Sequence, residues 1–581
     1  MNHAFTLRLA STNIRRSKEV YLPYFIATAI ISGVYFVITG LVHSPGLRNV
    51  PNGPTTQSVI MVGTVVFSVF AFIFMVYINN FLIKRRKREF GLYAVLGLEK
   101  RHVGRVLLWE NVIILGLGMG CGMLMARVFG RLLFMLLMKL INAAPGSEFI
   151  LSPIAAGMTL LLFGAVFAFT SILNLAKIRL ANPIELLQSD KRGEKKDSVF
   201  LIPLALIGVL LLGGSYYLAN VIVQPGMAIG LFFPLVLLVI LATYMLFISG
   251  SIVLLRFLRA RKRLYYKVNN FVAISGMFHR MRQNAAGLAT ICILSTMLLV
   301  TVSGTTALYL GQEDILRSQY PTDVQIFSTY ESEQAGQETQ DYLEELDRAL
   351  AELAQQHHVE MSYEPDRQIE IVRQNTGQRE ILNPYAIGPN APESAQYLEH
   401  SVWMGSYLVF DLEGTQENCL AFVQDARELT LGADGQHGMV LDIFSARMES
   451  YSLYGGLLFL GVFFSVLFLA VTVLIIYFKQ ITEGYEDKDR FEILQKVGMD
   501  DSQVRASINK QVLWVFFLPL LGALCHTAFA ANIMGKVLEG FSMFNMHITL
   551  GCIGVACAIF AVVYLVVYML TAKVYYRIVK W

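Results

Sequence analysis

The 581 residues are 55% hydrophobic and only 15% charged, and their mean hydropathy is +0.53. A soluble globular chain carries nearer about 25% charged residues, because its surface must face water. The composition therefore excludes an ordinary soluble protein and predicts an integral membrane protein.

The apolar residues fall into ten segments, each close to the about 20 residues that a helix needs to cross a bilayer. These segments are 22–42, 59–83, 107–129, 154–176, 200–221, 231–255, 287–310, 453–477, 512–532 and 548–570. The first segment is too long for a signal peptide and is not followed by a small-residue cleavage pattern. We therefore expect it to remain as a membrane anchor.

Clusters of basic residues between these segments predict an orientation. They lie at 15–18, 84–88, 177–196, 256–282 and 573–580. With ten spans all of these clusters fall on one side of the membrane, which the positive-inside rule makes cytoplasmic. We expect a multi-pass protein of the plasma membrane with both termini in the cytoplasm.

A long polar segment, 311–450, separates the seventh and eighth spans and has the pattern of a small extracytoplasmic α+β domain. Strands are predicted at 323–328, 367–374, 379–382, 406–412 and 438–444, and helices at 334–357 and 418–429. The sequence Asn-Thr-Gly at 375–377 predicts a hairpin turn. Cys419 is the only cysteine of the segment, so the domain must fold without an internal disulfide.

The charge of this segment is strongly negative. It holds 26 Asp and Glu against 7 Arg and no Lys, a net charge of −19, whereas the rest of the chain has a net charge of +23. One interpretation is solubility combined with the depletion of Lys outside the membrane. The other is electrostatic attraction of cationic ligands such as peptides.

The chain also repeats itself. Residues 87–97, KREFGLYAVLG, and 488–498, KDRFEILQKVG, share Lys, Phe and Gly at a constant offset of 401 residues. Each copy follows the second span of a four-span unit and precedes the third. The repeat predicts an α-helical polytopic protein with ten transmembrane helices arranged as four, two and four. Internal repeats are common among transporters, so the repeat alone names no mechanism.

These features define the expected organisation of the chain. The parts are a first four-helix unit (1–190) with a coupling segment (84–106), two linking helices (191–270), the seventh helix (271–310), the α+β domain (311–450), and the last three helices (451–581) with a second coupling segment (479–510).

The sequence contains no phosphate-binding G-x-x-x-x-G-K-[ST] loop, no HExxH and no paired-cysteine motif. We therefore expect a chain that is not an enzyme and that binds no metal or cofactor directly. His526 lies within the ninth span, where a polar side chain is energetically expensive and marks a candidate site. A hydrogen bond from His526 to a neighbouring helix is the simpler interpretation, and a substrate ligand is the alternative.

The two coupling segments carry the strongest signal for a partner. Each combines charged residues with a short amphipathic helix that ends at a glycine, a shape that suits a groove on a soluble protein. An interfacial anchor is the alternative, but anionic lipids would repel the acidic run at 483–489. We expect Phe90 and Phe491 to enter the partner's grooves. The candidate coupling residues are Phe90, Gly91, Leu92, Leu96, Gly97, Glu486, Phe491, Glu492, Ile493, Val497 and Gly498.

Residues 84–98, KRRKREFGLYAVLGL, resemble the coupling-helix signature of FtsX-like ABC transporter permeases. Residues 479–499 are more specifically similar to the Bce-type permeases of bacitracin and lantibiotic resistance. Further matches to that family are NPIELL at 182–187, SGMFHRMRQNA at 275–285, INKQVLWVFFLPL at 508–520, and His526. The outer domain is shorter than is typical of the family.

The resemblance implies the permease subunit of an ATP-driven transporter in a Gram-positive bacterium. Such a permease gives resistance to, and senses, antimicrobial peptides that target the cell wall, and releases them from lipid intermediates. Two copies of a separate ABC ATPase would bind the coupling segments and supply ATP and Mg²⁺. The other expected partners are a membrane histidine kinase, the peptide or a lipid-linked cell-wall intermediate, and membrane lipids; we expect no nucleic acid.

Arg127, Arg131 and Lys139 lie near the outer end of the third span. Arginine binds two phosphate oxygens through its planar fork, so these residues are candidates for binding a lipid pyrophosphate, the drug's target in the family. The alternative is that they reach ordinary phospholipid headgroups.

Two other functions compete with this interpretation. One is an FtsX-like signalling or mechanotransmission subunit that regulates a cell-wall hydrolase or kinase without a substrate of its own. The other is a secondary transporter, for which acidic or broken spans are expected at mid-membrane. Glu110, one turn into the third span, is the single acidic residue well inside the ten segments, which disfavours a secondary transporter.

Overall fold

The computed structural model describes residues 3–50, 52–143, 152–180, 200–261, 265, 268–330, 337–361, 366–373, 379–382, 401–430, 437–496 and 501–579. Ten helices in this part of the chain are long and apolar enough to cross a membrane, which confirms the predicted fold class. The chain divides into two compact units, Met1–Leu310 with Ser452–Trp581, and Gly311–Tyr451.

The first four spans belong to α2, α4, α6 and α7. The helices are α1 (His3–Arg16), α2 (Lys18–Val42), α3 (Pro45–Arg48), α4 (Gly53–Arg85), α5 (Lys87–Val95), α6 (Lys100–Leu140) and α7 (Pro153–Leu180). At 41 residues, α6 is far longer than its predicted span. At about 1.5 Å per residue it is about twice as long as the hydrocarbon core is thick, so its two ends extend beyond the apolar layer.

Two linking helices and the seventh span follow. They are α8 (Leu201–Val221), α9 (Pro225–Met245), which continues through a π-helical turn (Leu246–Gly250) into α10 (Ser251–Ala260), and α11 (Val268–Leu310). The sixth span, Pro225–Ala260, therefore includes the π turn. Such turns interrupt the regular hydrogen bonding of a helix without ending it.

The compact unit Gly311–Tyr451 contains both helices and strands, as predicted for an α+β domain. Its elements are α12 (Gln312–Gln319), β1 (Val324–Tyr330), α13 (Gln337–Gln356), β2 (Glu360–Met361), β3 (Asp366–Arg373), β4 (Arg379–Leu382), β5 (Ser401–Phe410), β6 (Leu412–Glu413), α14 (Gln416–Thr430) and β7 (His437–Asp442). All five predicted strands and both predicted helices are confirmed within a few residues. The hairpin turn expected at 375–377 lies outside the described residues.

An antiparallel sheet in the order β4-β3-β5-β1-β7 organises this unit. Residues two apart on a strand share a face, and the register pairs Val324 with Phe410 and Ile326 with Leu408. These four side chains are buried together with Phe422 of α14. One face of β1 and β5 therefore forms the core under the helix.

Two polar features complete this unit. Asp442 accepts a hydrogen bond from the Ser445 backbone N–H at 2.6 Å and pairs with Arg427 at 2.7 Å, so it caps the following helix and joins it to α14. Cys419 is fully buried in the core. Burial, and then the charge of Asp323, raise the pKa of its thiol, which makes Cys419 an unreactive packing residue.

The last three spans lie in α15 (Ile443–Lys496), α16 (Asp501–Glu539) and α17 (Met546–Val579). The described part of α15 runs for 54 residues without interruption. It therefore contains both the eighth span and the first part of the second coupling segment.

The contact between α2 and α6 is made by backbone. A Cβ on Gly122 would clash with the carbonyl oxygen of Ala29, and one on Gly33 would lie 2.8 Å from the carbonyl oxygen of Gly122. Small residues allow membrane helices to approach this closely. This contact fixes α6, which carries Glu110, against α2.

Replacing Gly122 by Ala should lower the thermal unfolding midpoint of the detergent-purified chain, because overpacking costs about 1–3 kcal/mol. Gly120→Ala is the matched control, since a Cβ on Gly120 meets nothing within 4 Å. Its expected effect is neutral or stabilising, because Ala favours a helix over Gly by about 1 kcal/mol. Equal midpoints for the two variants would show that the contact is not close.

Candidate coupling site

Arg86 occupies the one-residue break between α4 and α5, and its side chain is only 1% exposed. Its Nη1 pairs with Glu110 Oε2 of α6, and its Nη2 donates to Glu110 Oε1 at 3.1 Å. Its Nε donates to Glu89 Oε2 of α5 at 2.7 Å. Two-pronged Arg–carboxylate pairs of this kind are strong and specific in geometry. The pair therefore fixes where α5 leaves the helix bundle.

Two aromatic rings enclose the guanidinium group. The Arg86 Cζ atom lies 5.2 Å from the ring centre of Tyr21 on α2 and 5.1 Å from that of Phe90 on α5. At these distances the rings attract the cation. Phe90 is itself buried, so in this structure it packs against Arg86 and is not available to enter a groove on a partner, contrary to our expectation.

Polar neighbours complete the charged pair. Asn13 Nδ2 of α1 donates to Glu110 Oε1 at 2.8 Å, and the Tyr93 hydroxyl donates to Asn13 Oδ1 at 3.2 Å. Burial is the largest single influence and disfavours the charged form of Arg86, but the charge and hydrogen bond of Glu110, together with the other neighbouring groups, outweigh it and raise the pKa of Arg86. Arg86 therefore stays charged at every physiological pH. We call Asn13, Tyr21, Arg86, Phe90, Tyr93 and Glu110 the charged core.

The opposite face of α5 is apolar and exposed. Leu92 and Val95 are more than half exposed, and Leu96, just beyond the helix, is 70% exposed. The turn after the helix contains Gly97, whose φ of +85° favours glycine, and the Leu98 N–H donates to the Tyr93 carbonyl at 2.9 Å. Leu92 and Leu96 thus lie where a partner could contact them, and Gly97 forms the turn.

Gly91 is buried beside Phe90. The prediction missed Val95, which shares the exposed face with Leu92. It also missed the role of Arg86, because four other basic residues surround it at 84–88 and no pattern distinguishes it. The available signal was Glu110, since a carboxylate inside a span requires a partner.

The second copy of the segment continues α15 directly. Ile493 is exposed, and Glu492 pairs with Lys496 at 3.0 Å on the helix surface. The side chains of Glu486 and Phe491, and all of Val497 and Gly498, lie outside the described residues.

A different polar cluster anchors this second copy. Asp487, which the repeat aligns with Arg86, is buried and accepts a hydrogen bond from the Tyr575 hydroxyl of α17 at 2.6 Å. One and two turns earlier, Glu483 Oε1 lies 3.8 Å from Lys479 Nζ, and both side chains are buried. The two copies therefore carry side chains of opposite charge, Arg86 and Asp487, at equivalent positions of the repeat.

His526 forms hydrogen bonds to the linking helices. Its Nδ1 lies 2.5 Å from the Tyr216 hydroxyl of α8, and its Nε2 lies 3.1 Å from Thr243 Oγ1 of α9. The simpler interpretation of His526, a hydrogen bond to a neighbouring helix, is confirmed.

Arg127, Arg131 and Lys139 are exposed on α6, which continues unbroken to Leu140. At about 100° per residue, Arg131 is turned about 40° from Arg127, and Lys139 a further about 80°. Among the described residues none of the three forms an ion pair. Within the same part of the chain, no group of three or more His, Cys, Asp or Glu side chains is arranged to hold a metal ion.

Removing one partner of the buried pair should destabilise the protein strongly. Glu110→Leu removes the buried carboxylate and leaves Arg86 paired only with the partly exposed Glu89. Loss of a buried partner costs about 3–5 kcal/mol, whereas Arg86→Met combined with Glu110→Leu should recover much of that loss. Arg101 and Glu99 form an exposed pair, and Arg101→Met should cost at most about 1 kcal/mol. Thermal unfolding midpoints check this; a double variant no more stable than Glu110→Leu would contradict the pairing.

Two segments, residues 61–183 and 462–580, match the family model of the FtsX-like permease C-terminal domain, and they begin 401 residues apart, at the offset of the sequence repeat. The chain is 23% identical to YvcS, an uncharacterized ABC transporter permease of Bacillus subtilis, over 91% of this chain and 94% of that protein. It is 20% identical to the bacitracin export permease protein BceB of Bacillus subtilis over 99% of both chains. It is 21% identical to BceB of Halalkalibacterium halodurans over 90% of this chain and 92% of that protein. The chain thus contains two segments that match the FtsX-like permease C-terminal domain, and over nearly its full length it is similar to proteins named as ABC transporter permeases and bacitracin export permeases.

Proposed function

We propose that this chain is the membrane subunit of an ATP-driven transporter that confers resistance to, and senses, antimicrobial peptides that target the cell wall. In this proposal it detaches the peptide from its lipid target. The observation that carries the proposal is the similarity to two bacitracin export permeases over almost the whole length of the chain.

ATP is hydrolysed by a separate ABC ATPase, which binds ATP and Mg²⁺. One copy docks on each coupling segment, so that one permease binds two. The exposed face of α5, with Leu92, Val95 and Leu96, supports the first docking site. An apolar helix face held in one position suits a hydrophobic groove on a partner, and the charged core behind α5 resists displacement when the ATPase moves.

The orientation follows from the positive-inside rule. Both coupling segments and both termini face the cytoplasm of a Gram-positive bacterium, where the ATPase is available. The unit Gly311–Tyr451 then faces outside, and its net charge of −19 over 311–450 favours the approach of cationic peptides. A membrane histidine kinase is the further partner, proposed on the family resemblance.

Arg127, Arg131 and Lys139 form the proposed site for the lipid pyrophosphate. Their exposure, and the absence of ion pairs among the described residues, leave them available to an anion. Arg127 and Arg131 are one turn apart, so both guanidinium forks reach one phosphate group more readily than Lys139 does.

The second candidate function is an FtsX-like signalling subunit that regulates a cell-wall hydrolase or kinase without a substrate of its own. The FtsX-like segments favour it as much as they favour a transporter. ATP hydrolysis by the purified complex separates the two: stimulation by bacitracin supports the transporter, and no stimulation by any cell-wall peptide supports the signalling subunit.

Leu96→Asp should weaken binding of the ATPase by at least about 30-fold, because losing a central apolar anchor costs about 2 kcal/mol or more. Copurification of the ATPase with the tagged permease measures this effect. Leu429→Asp, at an exposed position in the other unit, is the control that should retain the ATPase. Equal recovery of the ATPase with both variants would remove α5 from the docking site.

Replacing both Arg127 and Arg131 by Gln should weaken binding of the lipid pyrophosphate by at least about tenfold, because each hydrogen bond to a charged group contributes about 1.5–3 kcal/mol. Bacitracin resistance at matched expression should fall accordingly. Arg48→Gln, an exposed basic residue between the first two spans, is the control. Full resistance in the double variant would show that the two arginines only contact ordinary headgroups.

A further inference from the structure

A cavity of about 250 Å³ lies between the linking helices α8 and α9 and the helices α11 and α16. Its inner wall is buried and includes Thr243, Leu235 and Ile533. Its rim includes Phe233, which is 72% exposed. All four helices contain membrane spans, so the cavity is reached from a surface that faces the hydrocarbon of the bilayer.

The histidine in this cavity has no capacity left for a ligand. The Thr243 hydroxyl donates its one proton to the Val239 carbonyl at 2.6 Å, so it can only accept from His526 Nε2. Nε2 therefore carries the proton, and Nδ1 accepts from the Tyr216 hydroxyl. Both nitrogens of His526 are thus satisfied by the linking helices.

Two other hydroxyl groups in the lining also donate their proton to a backbone carbonyl of their own helix. Ser215 Oγ donates to the Leu211 carbonyl at 2.7 Å, and Thr296 Oγ1 donates to the Cys292 carbonyl at 2.9 Å. None of the described lining residues is charged. The complementary occupant is therefore uncharged and apolar, because a phosphate or ammonium group would lose its hydration without gaining a partner.

We propose that this cavity binds one acyl chain of a membrane phospholipid, with the headgroup remaining outside at the bilayer surface. The volume exceeds the about 150 Å³ of a cavity that holds benzene, so a segment of a hydrocarbon chain fits. An empty cavity would forfeit dispersion contacts along its whole lining. Phospholipid chains surround the rim and reach the cavity without any delivery step.

The bound acyl chain would hold the linking helices α8 and α9 against α11 and α16. It contacts α8 and α9 on one side and α11 and α16 on the other. A ligand that binds only the folded arrangement stabilises that arrangement. The phospholipid is thus a structural ligand of the permease, independent of the peptide that the transporter handles.

A photoreactive phospholipid tests the proposal in the full-length chain. The chain is reconstituted in nanodiscs with phosphatidylcholine that carries a diazirine in one acyl chain, irradiated and digested. Wild type should be labelled at 293–301 of α11, which lines the cavity. Ala530→Trp, which fills the cavity from α16, should reduce this labelling by about tenfold or more, because crowding of this kind costs at least about 1.4 kcal/mol of binding.

Ala528→Trp is the matched control, since Ala528 is exposed on the same helix and does not line the cavity. Its labelling at 293–301 should equal that of wild type. Val300→Trp fills the cavity from α11 and replaces Ala530→Trp if that variant does not fold, as judged by its thermal unfolding. For Val300→Trp, labelling is measured on the residues of α16 that line the cavity, because the substitution itself alters the segment 293–301.

Two results would overturn the proposal. One is equal labelling in wild type and in the cavity-filling variants. The other is labelling that a polyprenyl phosphate displaces while an excess of unlabelled phosphatidylcholine does not, which would assign the cavity to a different lipid.

Discussion

The position of the first coupling helix depends on one ion pair that is kept away from water. Moving two charges out of water costs several kcal/mol per ion, and only good geometry offsets this cost. Arg86 and Glu110 meet through paired hydrogen bonds, with Asn13 and two aromatic rings around them. Since each charge would lose its buried partner if the two separated, the pair favours one position of α5 against α6. Its outer face, with Leu92 and Val95, therefore has a fixed orientation relative to α6.

The second copy of the repeat does not contain this ion pair. Arg86 is replaced by Asp487 at the equivalent position, and the carboxylate is held by the Tyr575 hydroxyl. The helix is also continuous through this part of the second copy, whereas a one-residue break separates α4 from α5 in the first. The two copies therefore differ in the buried group that anchors each segment, although their sequences repeat.

Much of the fold could be predicted because it follows from local patterns. Apolar runs of sufficient length identify the ten spans, and alternation identifies strands such as β1 and β5. The outward face of α5 could be predicted only in part, because apolar residues lie on both of its sides: Leu92 and Leu96 were predicted together with Phe90, which is buried. The pattern favoured Phe90, but the buried cation attracts its ring and leaves Leu96 exposed. The contact between Arg86 and Glu110 joins different helices, and no periodicity within one helix indicates such a contact.

The proposed function requires that each coupling segment binds one ATPase. Native mass spectrometry of the complex that copurifies with the tagged permease measures the stoichiometry directly. We expect one copy of this chain with two ATPase subunits, and disruption of the charged core by Glu110→Leu should leave species with one. A wild-type complex with a single ATPase, or with none, would contradict the assignment of both segments.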